Sequence, residues 1–234
     1  MESYCKAKAS LFNQCDKAIG NLDDEWFEKI RKNAPCDFMT FSVKEKADLR
    51  AEDISLFYDR TCFTVIFEGK KFPVTVPIPG IFTVYNVLNA LGMALLLDLS
   101  LEKAIASLST FKGVKGRLEL VPSFEKNYKI FIDYAHTPDG LEKTLLSARN
   151  FSKGRVIVIF GCGGCRDVYK RPIMGKIGTD LADFAIITSD NPRFEDPKKI
   201  ISQIVSGIDK DKQNFVVIED RTEAIHYALK NAQE

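Results

Sequence analysis

The second half of this sequence predicts a doubly wound α/β domain, a parallel sheet with helices on both faces, and two observations carry that prediction. Strand-like apolar runs at 118–122, 130–133, 156–160, 184–188 and 215–218 alternate with helix-like stretches at 138–150, 170–181, 197–206 and 222–230. In its middle, GRVIVIFGCGGCRDVYKRPIMGKIGTDLADFAIITSDNPRFEDP reads as strand, glycine turn, helix, strand and polar turn. The expected architecture is Rossmann-like. In such sheets ligands are held by the loops at the carboxyl ends of the strands, so the glycine turn and Asp190-Asn191-Pro192-Arg193 should lie side by side on one rim.

Composition bounds the rest. The 234 residues, 45% of them hydrophobic, suffice for one large or two small domains. Lysine plus arginine (33) nearly cancels aspartate plus glutamate (32), so no global field argues for nucleic acid or an anionic membrane as partner. The apolar run at 90–97 stops at Asp98, short of a membrane span, and no signal-peptide pattern opens the chain. Six dispersed cysteines fit a reducing compartment better than a disulfide scaffold. The expected location is the cytoplasm.

Taken in order, MESYCKAKASLFNQC reads as an amphipathic helix with Tyr4, Leu11 and Phe12 toward a core. A second helix is expected at 23–31, then strands at 38–43, 54–58, 62–67 and 72–76, the last two forming a hairpin around Glu68-Gly69-Lys70-Lys71. FTVYNVLNALGMALLL reads as a largely buried helix carrying Asn86 and Asn89, and 101–108 as another helix. The glycine-bearing link 112–117 is the candidate domain boundary, giving domains 1–112 and 113–234.

Three motifs carry chemistry. Cys162-Gly163-Gly164-Cys165 has thiol-pair spacing, but the chain offers no second such pair and only two histidines for a zinc site, so its glycines are expected to serve a sharp turn beside a ligand. Asp133-Tyr134-Ala135-His136-Thr137-Pro138 follows a strand. Its acid is placed either to accept from a ribose or to brace a βα turn capped by Thr137, and His136 reads equally as a base or a capping residue. Asp190-Asn191-Pro192-Arg193, with Arg166 on the neighbouring loop, suits a zwitterion, the arginines meeting carboxylate and the oxygens meeting ammonium; the same residues also suit an Asx turn. No G-x-x-x-x-G-K-[ST] phosphate loop occurs anywhere in the sequence.

MESYCKAKASLF, IPGIFTVYNVLNALGMAL, GVKGRLELV, DYAHTPDGLEKTL, GCGGCRDVYKRPIMG and TSDNPRFEDP together resemble, in order and nearly in spacing, the Mur ligases of peptidoglycan synthesis. The resemblance is to the branch that adds a diamino acid to UDP-N-acetylmuramoyl-L-alanyl-D-glutamate, and it covers essentially the whole chain. It implies that residues 1–112 are the C-terminal part of a central ATPase domain and that 113–234 are most of the C-terminal domain. On this reading the phosphate loop and further magnesium ligands lie before Met1 and a last segment lies beyond Glu234, making the chain a fragment.

The resemblance also implies site residues. Lys8 matches a lysine that the family carbamylates to hold Mg2+, a carbamate being an anionic oxygen ligand suited to a hard cation. For ATP, Asn86 matches a contact to the adenine, Arg117 a catalytic arginine that reaches the nucleotide, and Asp133 a contact to the ribose. Arg166, Asp190, Asn191 and Arg193 match the residues that recognise meso-diaminopimelate. The sequence departs from the family pattern at Cys165, usually aspartate, and at Lys115, usually proline. The implied chemistry is acyl phosphate formation from ATP followed by amide formation, with the UDP-linked dipeptide and meso-diaminopimelate as partners, along with the missing N-terminal portion. Isolated, the chain is expected to be inactive. The alternatives are a nucleotide-binding Rossmann-like module without ligase activity, and a C-x-x-C redox protein.

Overall fold

The computed structural model describes residues 2–32, 34–122 and 127–232, arranged as two compact units, Met1–Gly113 and Val114–Glu234.

The first unit opens with α1 (Glu2–Ala9), which tightens into a 3-10 turn at Ser10–Gln14. Helical spacing keeps Tyr4 and Leu11 on one face, and that face points outward. Tyr4 and Leu11 are each 59% exposed, while Cys5 is buried and Phe12 packs against Phe38 with ring centroids 5.0 Å apart. The amphipathic reading of this stretch is thus corrected: Cys5 and Phe12, not Tyr4 and Leu11, face inward.

Next come β1 (Lys17–Asn21), α2 (Phe27–Arg31), β2 (Asp37–Ser42), β3 (Leu49–Leu56), β4 (Thr61–Phe67) and β5 (Lys70–Val76). They form a five-stranded sheet in the order β1-β2-β3-β4-β5, parallel from β1 to β3 and antiparallel from β3 to β5. The expected hairpin is β4–β5, turning through Glu68 and Gly69, both at positive φ. Strand β1 is absent from the sequence reading because KAIGN lacks β-branched alternation; it forms because β2 supplies a parallel partner over its full length.

Against this sheet lies α3 (Ile81–Leu96), followed by α4 (Leu101–Leu108), whose N-cap Ser100 accepts from the backbone of Lys103. Val84, Val87, Leu88 and Leu91 recur at helical spacing and pack with Phe41, Leu49, Phe63, Val65 and Val74 in one core. Asn86, Asn89 and Met93 occupy the opposite, exposed face, so α3 buries one stripe rather than most of its surface. Gly92 lies on the buried stripe, where a Cβ would run into the Ile19 side chain of β1.

The second unit contains β6 (Glu119–Val121), β7 (Ile130–Ile132), α5 (Pro138–Phe151), β8 (Ile157–Phe160), α6 (Lys170–Leu181), β9 (Phe184–Ile187), α7 (Pro197–Val205), β10 (Phe215–Val217) and α8 (Arg221–Asn231). Strands β8, β9 and β10 form a parallel sheet in the order β10-β9-β8. Successive β9 residues alternate between faces: Ala185 and Ile187 join a core with α5, α6 and α7, while Ile186 packs with Ala224 and Ala228 of α8. Helices therefore cover both faces. The first two strands depart from the expected alternation, since β6 and β7 pair antiparallel in a separate two-stranded sheet. The intervening residues 122–129 are too few for the crossover that a parallel pair needs.

Candidate functional site

Because β8 and β9 are parallel neighbours, the loops that leave them emerge on the same edge of the sheet, and the structure binds these loops together. The Gly164 amide donates to the Asn191 carbonyl at 2.8 Å, and Arg193 Nη1 donates to the Gly164 carbonyl. Two glycines permit this approach. A Cβ at Gly161 would run into the Thr188 carbonyl, and one at Gly164 into the Pro192 carbonyl. The opposing turn is an Asx turn as well as a candidate ligand loop: Asn191 Oδ1 accepts the Arg193 amide at 3.2 Å, and Arg193 takes a left-handed φ of 51°. Cys165, across from it, also has φ 51°. Neither is a glycine, so surrounding contacts must hold both conformations.

Those contacts centre on two residues that the sequence reading missed. Arg171, in the first turn of α6, is fully buried and pairs in bidentate fashion with Glu195, each nitrogen–oxygen distance being 2.9 Å. It also donates to the Gly163 carbonyl and to Gln203 of α7, while Glu195 Oε1 accepts the Cys165 amide. The Arg171 guanidinium beside it, joined by the Cys165 amide, draws the Glu195 carboxyl down to about 2. One sequence signal was available: a cation in a helix first turn that contains no acid sits at the wrong end of the helix dipole, and such a residue needs a partner elsewhere.

The loops leave Arg166 and Asp190 exposed, and neither takes part in the contacts that join them. Arg166, Asp190, Asn191 and Arg193 are therefore brought to one rim, with Asn191 Oδ1 engaged by the backbone and the other three presenting charge. Asp190 also lines an open groove of about 850 Å3 with Ser189, Glu219, Asp220, Arg221 and Glu223 at the start of α8.

The turn after β7 is built differently. Asp133 accepts from the amides of Leu118 and Ala135 at 2.8 Å each and from the Thr144 hydroxyl at 3.0 Å, so most of its carboxylate braces the turn. Thr137 caps α5 by accepting the Gly140 amide at 3.1 Å, with Pro138 in the first turn. His136 Nδ1 lies 3.0 Å from the Tyr134 carbonyl, a local contact, and its own carbonyl accepts from Lys170 at 2.6 Å. Arg117 is exposed, its guanidinium 5.0 Å from the Tyr134 ring centroid. In the first unit, Asn86 is exposed on α3 and Lys8 is exposed on α1, its ammonium 5.0 Å from the Tyr4 ring centroid.

Of the cysteine pair, Cys162 has little thiol chemistry to offer. Burial pushes the Cys162 thiol up to about 11, the reverse of what a reactive thiol needs, and its sulfur contacts Met174 at 3.7 Å. Both thiols are free. Among the described residues no group of three His, Cys, Asp or Glu side chains is placed to hold a metal, and no helix is long and apolar enough to cross a membrane.

Comparison with known proteins gives this arrangement a setting. The chain is 45% identical over 234 residues to the UDP-N-acetylmuramoyl-L-alanyl-D-glutamate--2,6-diaminopimelate ligase 1 of Clostridium acetobutylicum, and 43% identical to the ligase of that name from Clostridium botulinum. In both cases all of this chain aligns with 48% of the relative, so the chain spans about half the length of the curated relatives it matches. A solved structure of a UDP-N-acetylmuramoyl-L-alanyl-D-glutamate--2,6-diaminopimelate ligase aligns with TM-score 0.63 and 33% identity, over 99% of this chain and 49% of the other. MurF from Acinetobacter baumannii shares the fold with TM-score 0.77 at 20% identity, over 98% of this chain and 49% of its own. Residues 1–94 match the Mur ligase middle domain and 116–234 the "Mur ligase, glutamate ligase domain", and with these two matches spanning both units the chain belongs to the Mur ligase family.

Proposed function

We propose that this chain is the diamino-acid-binding portion of an ATP-dependent ligase (MurE) that joins meso-diaminopimelate to UDP-N-acetylmuramoyl-L-alanyl-D-glutamate. The observation that carries this reading is the rim where Arg166, Asp190 and Arg193 present two cations and an anion on loops fixed to each other. A zwitterion with a carboxylate at each end is the ligand such a set complements: guanidinium groups meet carboxylates with paired hydrogen bonds, and the aspartate meets an ammonium. Residues 1–112 are the C-terminal part of the central domain on this reading, and 113–234 belong to the C-terminal domain.

In the proposed reaction the γ-phosphoryl group of ATP passes to the D-glutamate side-chain carboxylate, and the diaminopimelate amine attacks that carbonyl and displaces phosphate. This chain's share is to bind the amino acid and aim its amine. Toward the nucleotide, Arg117 of the second unit would reach ATP. Asp133 has three of its acceptor positions filled by the protein, which leaves room for about one ribose hydroxyl. Magnesium does not fit on the described residues alone. A carbamylated Lys8 would bring a single carbamate, short of an octahedral set of oxygens.

The test is a calorimetric titration of this chain with meso-diaminopimelate and with lysine. Lysine lacks the distal carboxylate, so it should bind at least about tenfold more weakly. Arg193→Ala should weaken diaminopimelate binding about 10- to 100-fold while changing lysine little. Equal affinity for the two amino acids in the unmodified chain sinks the reading.

A further inference from the structure

We infer that Arg171 and Glu195, which lie outside the rim that meets the ligand, are a positioning pair that holds the loops after β8 and β9 in one arrangement and so sets the affinity of the rim for its amino acid. The inference deepens the proposed function and rests on it. Arg171 is fully buried, and its two terminal nitrogens reach four acceptors on three segments: both Glu195 oxygens, the Gly163 carbonyl and Gln203. Glu195 passes the link back to the glycine loop by accepting the Cys165 amide, and its own amide donates to the Pro192 carbonyl at 2.9 Å. The circuit is closed by the Gly164–Asn191 and Arg193–Gly164 contacts. Both left-handed residues, Cys165 and Arg193, lie within it.

A buried cation is a poor device for stability alone. Removing a guanidinium from water is costly, and here Arg171 Nε is buried with no partner among the described residues. What the planar fork supplies is geometry, since two parallel bonds fix the Glu195 carboxylate in plane and direction, and through it the Cys165 amide. Arg193, an exposed residue, is then held by one guanidinium nitrogen at the Gly164 carbonyl. Neither Arg171 nor Glu195 needs to touch the ligand to govern how well the rim is preformed.

The experiment compares Glu195→Ala and Glu195→Gln with the unmodified chain by amide hydrogen exchange and by calorimetric titration with meso-diaminopimelate. In Glu195→Ala, exchange at the Cys165 amide should quicken about tenfold and the dissociation constant should rise about tenfold, while amides within β8 and β9 keep their rates. Glu195→Gln retains one acceptor oxygen and should fall between. Unchanged exchange at Cys165, or quickened exchange with an unchanged dissociation constant, overturns the inference, as does loss of protection throughout β8 and β9 in both variants. If the unmodified chain binds no diaminopimelate the ligand reading falls with the affinity part of this inference, and the exchange rates decide whether the loop link stands.

Discussion

The turn after β7 and the loop pair after β8 and β9 both present charged residues at strand ends, and they use those charges in opposite ways. In the first, Asp133 accepts three hydrogen bonds from its own chain, so a residue that reads as a ligand contact is mainly a brace. In the second, bracing falls to Arg171, Glu195, one guanidinium nitrogen of Arg193 and backbone groups, which leaves Arg166 and Asp190 unencumbered. A charged side chain is left fully available to a ligand where other groups hold the backbone.

The sharpest way to break this contrast is at Gly164. An alanine there would press its Cβ into the Pro192 carbonyl, and the two loops would have to part. Forcing a methyl into so tight a contact costs about 1–3 kcal/mol, so Gly164→Ala should lower diaminopimelate affinity about 10- to 100-fold, measured by calorimetry. Retained affinity would mean that contact between the loops is immaterial to binding. A smaller effect is expected at the other turn. Asp133→Asn removes the charge from three hydrogen bonds and should lower unfolding stability by about 2 kcal/mol in denaturant titration, with diaminopimelate affinity unchanged. A loss of affinity instead would place Asp133 among the groups that shape the amino-acid rim.

The mildest probe is acid. The Glu195 carboxyl is lowered from 4.5 to about 2, so its contribution is fully present above pH 4.5 and is lost as the pH falls through about 2. A carbon-detected titration of the Glu195 side chain should show its midpoint near 2, accompanied by the Cys165 amide shift. A midpoint near 4.5 would mean that the pair with Arg171 is not formed in solution.

Legibility followed the range of the interactions. The strands and helices from 156 onward read correctly because the apolar periods are long and the caps are local, as at Asp196 for α7 and Asp220 for α8. The joining of the two rim loops was legible from topology, since neighbouring parallel strands must deliver their loops to one edge. The antiparallel pairing of β6 and β7, the exposed face of α3 and strand β1 were not, because each depends on what packs alongside. The Arg171–Glu195 pair spans 24 positions and acquires meaning only once β8 and β9 lie together. Asp133 reads equally well as brace or contact in sequence because its partners are mostly backbone amides, which leave no trace in residue identity.

Gly92 and Gly164 both forbid a side chain, but they differ in how a lineage could escape the prohibition. At Gly92 the obstacle is the flexible end of Ile19, so a methyl gained on α3 can be answered by a methyl lost on β1, and the two positions are free to trade volume as sequences drift. At Gly164 the obstacle is the carbonyl of Pro192, which every amino acid carries. No second change at that neighbour restores the space, and the glycine becomes a one-way commitment made by the backbone of the opposing turn.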